Sequence, residues 1–225
     1  MVTTHDIYQL RRRVGMSIFP QGRNDLQHLN READACYWER FEDFNALSHK
    51  VLRNRSQKKE AWCPAYMPLQ QQPELLCADL MAFELDNHTP AEVHQWLMQA
   101  HLCGFVYPLT PASADHPRTM LVLRLDRTVG IRTYRLLWQF LSSMPELYGN
   151  RTIGHPDCRS RFDMPYAANG ESELLNHCGY PLAVDAVLQL PEVSFQTVGN
   201  ASIAPVEKFW GESMAFVLPG LLELI

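Results

Sequence analysis

The chain reads as an α+β protein built on a split-βαβ, RNA-recognition-motif-like sheet core, with helices on one face and an added helical N-terminal segment. Three observations carry that expectation. Between residues 75 and 166, apolar runs of strand length alternate with amphipathic stretches in the order strand, helix, strand, strand, helix, strand. Thr89-Pro90-Ala91-Glu92 is a capping box with proline at the first helical position, which marks one helix start. The 225 residues, 46% hydrophobic and 20% charged, match one ordinary globular domain and exclude a disordered, collagen-like or disulfide-miniprotein chain.

Taken in order, Leu26, Leu29, Ala33, Tyr37, Phe41, Phe44, Leu47 and Val51 recur every three or four residues, so 25–54 reads as one or two amphipathic helices. Residues 75–85 form an apolar run ending at Asp86-Asn87-His88, the first core strand. The capped helix runs to about His101 and is stopped by Gly104; Phe105–Leu109 is the second strand. Pro108, Pro111 and Pro117 confine 108–117 to an edge and a loop. Met120–Leu125 is the third strand. Tyr134, Leu137, Trp138 and Leu141 stripe a second helix over 131–143, and Arg161–Tyr166 is a short fourth strand. The expected divisions are a helical N-terminal segment over 1–57, a core over 58–190 and a packing tail over 191–225.

The net charge of −5 gives no global sign of a nucleic-acid binder, yet the charge is unevenly spread. Residues 61–116 carry six acids and no Lys or Arg, whereas 117–161 carry eight Lys or Arg against three acids. The six cysteines, Cys36, Cys63, Cys77, Cys103, Cys158 and Cys178, form no C-x-x-C pair and follow no secretory leader, so reduced thiols in a cytoplasmic protein are expected. The apolar stretch 214–222 is broken by Pro219 and is far short of the roughly 20 residues of a membrane span.

Two constellations carry chemistry. Glu84 and Asp86 stand two apart on a strand and so share one face; two such carboxylates repel unless a cation sits between them, as in sites that hold Mg²⁺ or Mn²⁺. The plainer reading ends the strand at Glu84 and makes Asp86-Asn87 turn chemistry. Arg159 and Arg161 likewise share a face, on a strand expected near the first one, which suits a triphosphate or a nucleic-acid backbone; a cross-strand ion-pair ladder is the alternative. His155, Cys158, His177 and Cys178 make a poor tetrahedral zinc set because two of them are adjacent.

With these pieces in order, the chain resembles the primase-polymerase domain of the archaeo-eukaryotic primase superfamily, in its plasmid, phage and mobile-element form, from about Lys58 to Leu190. Lys59-Glu-Ala-Trp62-Cys63-Pro64-Ala65 is similar to the lead-in of that group, and 77–86 to its acidic strand. Pro117-Arg118 with Leu121-Val122-Leu123 resembles the second motif. Ser160-Arg161 through Pro165 resembles the S-R-x-x-x-P strand, and Gly179-Tyr180-Pro181-Leu182-Ala183-Val184-Asp185 the closing helix. The chain departs from the pattern at Glu84, where aspartate is usual, at Met120, in place of a second arginine, and at the motif histidine, for which His116 stands a few residues late.

The resemblance implies a DNA-replication protein that binds single-stranded DNA or a primer-template and nucleoside triphosphates. Glu84 and Asp86 would be the catalytic carboxylates and, with Asp157, the ligands of Mg²⁺ or Mn²⁺. Arg118, Arg159, Arg161 and His116 would hold nucleotide or nucleic acid. Two outcomes stay open: primer synthesis by metal-dependent nucleotidyl transfer, or a catalytically inactive domain that binds DNA or a helicase or initiator. An unrelated ferredoxin-like interaction module is the third reading.

Overall fold

The computed structural model describes residues 14–19, 37–41, 44–53, 60–66, 76–109, 116–142, 158–165 and 174–189. Two four-stranded sheets face each other. The larger contains β4 (Cys77–Asp86), β5 (Gly104–Pro108), β6 (Arg118–Gly130) and β8 (Leu175–His177), in the order β4-β6-β5-β8. The smaller contains β1 (Val14–Phe19), β2 (Tyr37–Phe41), β3 (Ala61–Cys63) and β7 (Phe162–Asp163), in the order β2-β1-β3-β7. The helices are α1 (Phe44–Arg53), α2 (Pro90–Gln99), α3 (Ile131–Ser142) and α4 (Val184–Leu188).

The α+β class is as expected, and so are β4, α2, β5, β6 and α3 within a few residues. Strand β6 lies antiparallel between β4 and β5, so β4-α2-β5 is a parallel unit with a strand inserted into it. Helix α2 starts where its capping box predicts: the Glu92 N–H donates to Thr89 Oγ1, and Glu92 Oε2 accepts from the Thr89 N–H at 2.8 Å. His101 ends it in a left-handed conformation, φ 52°, and Gly179 lies against the His101 carbonyl so closely that a Cβ would not fit.

Two expectations are corrected. The helical reading of 25–54 holds, among the described residues, only for α1; Tyr37–Phe41 is a strand, because an antiparallel partner, β1, sets Tyr37 opposite Ile18 and Phe41 opposite Val14. Aromatic residues at helical spacing also suit a pleated strand, and the partner decides. The fourth strand of the core, expected at Arg161–Tyr166 beside the first, is instead β7 of the smaller sheet, paired with β3 through Ala61 and Trp62. The larger sheet takes β8 at the opposite edge, against β5. The tail over 191–225 lies outside the described residues.

Each face of the larger sheet carries a core. Met81, Phe83, Leu85, Leu121 and Leu123 pack under Val93 and Leu97 of α2 and Tyr134, Leu137 and Leu141 of α3. The alternate residues Leu80, Ala82, Phe105, Tyr107, Met120 and Val122 face Met16, Ile18, Trp62 and Phe162 of the smaller sheet and Phe44, Leu47 and Val51 of α1. Helices therefore cover one face and the smaller sheet, with α1, the other, so the expected single-sided helix layer is completed by a second sheet.

One polar relay crosses this second core. Trp62 Nε1 donates to the Tyr107 hydroxyl at 2.9 Å, and that hydroxyl donates to the Asp163 carbonyl at 2.9 Å. Burial pushes the Tyr107 phenol above its ordinary range, against the smaller effect of the Trp62 donor, so it stays a neutral donor. Tyr107→Phe leaves Trp62 Nε1 and the Asp163 carbonyl unpaired and is expected to cost about 1–3 kcal/mol in a urea titration; an unchanged midpoint would show that the relay does not hold the sheets together. At the surface, Thr89→Ala is expected to cost about 1 kcal/mol near neutral pH. Hydrogen bonds from the Thr89 N–H and hydroxyl hold the Glu92 carboxyl below its usual range. That contribution is present above the ordinary glutamate range and fades as pH falls through the lowered folded value; because the backbone N–H bond survives in Thr89→Ala and the bond from the Glu92 N–H to the hydroxyl does not titrate, the gap between variant and parent should narrow in acid without closing.

Candidate functional site

The carboxyl end of β4 meets the amino end of β6, and their register brings the charged residues together. Glu84 pairs with Met120, and Met120 with Tyr107, so these three form one row across β4, β6 and β5. The next row sets Asp86 opposite Arg118. All five lie on the face turned toward the smaller sheet, since side chains two apart on a strand share a face. Glu84 is thus the last residue over the apolar core of that face, and Asp86 is half-buried one step beyond it.

Glu84 is buried, at 3% exposure, which a carboxylate tolerates only with a charged or hydrogen-bonded partner. Arg118 supplies one: Nη2 lies 3.2 Å from Glu84 Oε2, reaching diagonally from its place opposite Asp86. Asn87 then turns the chain with φ 60°, a left-handed conformation that asparagine accepts more readily than most residues. Its Oδ1 lies 3.5 Å from Nδ1 of the exposed His116. Thr119 Oγ1 donates to the His88 carbonyl at 2.6 Å and pins this turn to β6.

Glu84, Asp86, Arg118 and His116 therefore converge at one end of the β4–β6 pair. The paired arginines are placed differently. Arg161 precedes β7, and its guanidinium stacks 4.1 Å over the ring of Phe19. Phe19 belongs to the face of the smaller sheet opposite the one that Ile18 presents to the core between the sheets. Arg159 is exposed in the turn before it. Asp157 lies outside the described residues.

Glu84 and Asp86 present hard oxygen donors on one face, and Mg²⁺ or Mn²⁺ is commonly held by one or two carboxylates together with substrate phosphates. The pair fits such an ion in donor chemistry. Among the described residues no third His, Cys, Asp or Glu joins them.

Sequence reasoning placed Trp62 in a lead-in motif and Asn87 in a turn, and gave no role to Tyr107. The register that sets Tyr107 in the row of Glu84 is a pairing between distant strands, and only Asn87, in a turn after two acids, left a local signal. At the far end of the sheet, the Asn176 side chain donates to Asn45 Oδ1 at 3.0 Å, and His94 lies edge-on to His177. Burial there lowers the His177 pKa, helped by His94 and His101, and pushes the Cys103 thiol up to about 12.

The fold and site define a two-sheet α+β domain with a buried carboxylate paired to an arginine at the end of the β4–β6 strand pair. No protein-family model matches the chain, and no curated protein matches it. Among solved structures, the AEP domain of the cyanophage S-2L primase-polymerase is similar at 14% identity and a TM-score of 0.41, over 81% of this chain and 92% of that one. No helix among the described residues is long and apolar enough to cross a membrane.

Arg118→Met removes a charged partner of the buried Glu84 and is expected to destabilise by roughly 1–3 kcal/mol, below the cost of breaking a wholly buried pair because water reaches the arginine. Adding Glu84→Gln should recover part of the loss. Equal stability of Arg118→Met and the parent in guanidinium unfolding would show that the pair does not compensate Glu84.

Proposed function

We propose that this chain is a primase-polymerase-like DNA-replication domain of a mobile element, whose β4–β6 mouth takes the phosphates of a nucleotide or of single-stranded DNA or a primer-template. The observation that supports this reading is the convergence of Glu84, Asp86, Arg118 and His116 on one strand-pair end, in the order of the motifs they resemble. Arg118 would bind and orient phosphate oxygens, which its planar fork suits. His116, exposed beside Asn87, would approach the same ligand from the loop side. Glu84 and Asp86 would hold Mg²⁺ or Mn²⁺, with Asp157 as a further candidate ligand. Such an ion supplies charge neutralisation and activation of the attacking hydroxyl in nucleotidyl transfer.

A second reading, a non-catalytic replication factor that binds DNA or a helicase or initiator, is favoured by one specific observation: the Glu84 carboxylate is buried and already engaged by Arg118. Arg159 and Arg161 would then extend the contact to nucleic acid along the smaller sheet.

A single assay set separates the two. With Mg²⁺ or Mn²⁺, nucleotides and single-stranded template, the first reading expects product that Glu84→Ala and Asp86→Ala each abolish. The second expects no product, and DNA binding that survives those substitutions but weakens with salt and on Arg118→Ala or Arg161→Ala. Binding to neither nucleotide nor nucleic acid would sink both.

A further inference from the structure

We infer that Cys103 and Cys178 form a redox-modification site, a thiol pair set to close into a disulfide by exchange with a small disulfide such as oxidised glutathione. The site is independent of the nucleotide-binding reading. Strands β5 and β8 run antiparallel, with Val106 opposite Leu175, Phe105 opposite Asn176 and Gly104 opposite His177. The next step of that register sets Cys103 opposite Cys178, and the two segments stay together there, because the Cys103 N–H donates to the Tyr180 carbonyl at 2.7 Å. Residues opposed across an antiparallel pair stand about 4.5–5.5 Å apart at Cα, inside the range of about 4.4–6.8 Å that a disulfide spans. The two side chains also share a face. Cys103 packs in the core that Phe44 and Leu47 of α1 share with Phe105, and Cys178 Sγ donates at 3.3 Å to Asn45 Oδ1 in the first turn of the same helix. Both are free thiols.

The two sulfurs are unequal, and that orders the chemistry. Cys178 is exposed and Cys103 is buried, so a dissolved oxidant meets Cys178 first. Burial pushes the Cys103 thiol up to about 12, against the pull of Arg124. A buried, protonated thiol is out of reach of a bulky disulfide, but it needs no access to attack a sulfur already beside it. The Cys178 thiolate attacks one sulfur of oxidised glutathione, the S–S bond breaks, and the glutathione that leaves takes up the proton Cys178 gave up. Cys103 then loses its proton, with Arg124 favouring the thiolate, and attacks Cys178 Sγ of the mixed disulfide, releasing the second glutathione. Two electrons pass from the cysteine pair to the oxidised glutathione, and the two cysteine protons end on the two glutathiones released. Cys178 gives up its hydrogen bond to Asn45, which keeps the one from Asn176 at 3.0 Å. In return β8, an edge strand of three residues, is tied covalently to β5, closing a loop of roughly 75 residues.

The test equilibrates the purified chain with oxidised glutathione, blocks the remaining thiols with N-ethylmaleimide and reads the linkages by tandem mass spectrometry without reduction. The parent is expected to lose the Cys103 and Cys178 thiols together, to carry a bond between them within one chain and to regain both thiols in dithiothreitol. Its Tm should rise by roughly 5–10 °C on oxidation, since the cross-link restricts the unfolded chain. In Cys178→Ser the rise should vanish and Cys103 should stay unmodified, because the buried thiol does not meet glutathione on its own. Cys103→Ala should instead trap a glutathione adduct on Cys178. A lasting adduct on Cys178 of the parent with Cys103 still free overturns the pairing. So does a bond from Cys178 to any other cysteine or to a second chain, or an oxidised parent that melts no higher than the reduced one. Should either variant fail to fold, as judged by thermal unfolding in dithiothreitol, the linkage and Tm of the parent decide alone.

Discussion

The Tyr107 hydroxyl joins two sheets that backbone pairing alone would leave nearly independent. It accepts from Trp62 on β3 and donates to the Asp163 carbonyl on β7, while its own strand β5 stands in the larger sheet. Most of the side chains around it are apolar: Met16, Ile18, Phe105, Met120 and Phe162 share that core, with the buried Glu84 in the same row. A hydroxyl in such surroundings is costly unless both its roles are filled, and here both are. The relay thus fixes the register of the smaller sheet over the larger one, a specificity that interchangeable apolar contacts do not provide. Ser17 Oγ, donating to the Ala65 carbonyl at 2.8 Å, and the Ala65–Ala78 bridge add a second tie at the margin.

The site inherits its shape from this arrangement. Tyr107, Met120 and Glu84 form one row, so the row that carries the relay also delivers Glu84 to the rim of the dry core. Glu84 is therefore poorly hydrated because of where the smaller sheet sits, and the contact with Arg118 offsets part of the cost of burying its charge. Asp86, one pleat further, escapes that cover and is half-buried. Two carboxylates of nearly identical local sequence context thus have different electrostatic surroundings. The opposite end of the sheet is organised otherwise: Asn176, Asn45, Ser48 and Cys178 exchange hydrogen bonds between β8 and α1, and the raised Cys103 thiol is a buried neutral group. Those hydrogen bonds fasten α1 to β8.

Local signals were legible wherever one segment decides its own structure. The Thr89-Pro90-Ala91-Glu92 cap fixes the start of α2 by bonds within four residues, and the stripe Tyr134, Leu137 and Leu141 fixes the buried side of α3. The alternation along 77–86 was enough to place Glu84 and Asp86 on one face. Residues 37–41 show the limit: their aromatic spacing is compatible with helix and strand alike, and the choice falls to pairing with β1, more than eighteen residues earlier in the chain by Cα partner.

By itself, then, the sequence determined the α+β class, the capped and striped helices, the strands β4, β5 and β6 and the carboxylate pair, since each follows from residue spacing over one or two turns or pleats. Tertiary structure alone decided that β7 leaves the larger sheet for β3, that Arg161 stacks on Phe19, and that Arg118 is the cation beside Glu84. Those outcomes depend on which distant strand lies alongside and on how much water the covering sheet excludes, and neither quantity is written in local periodicity.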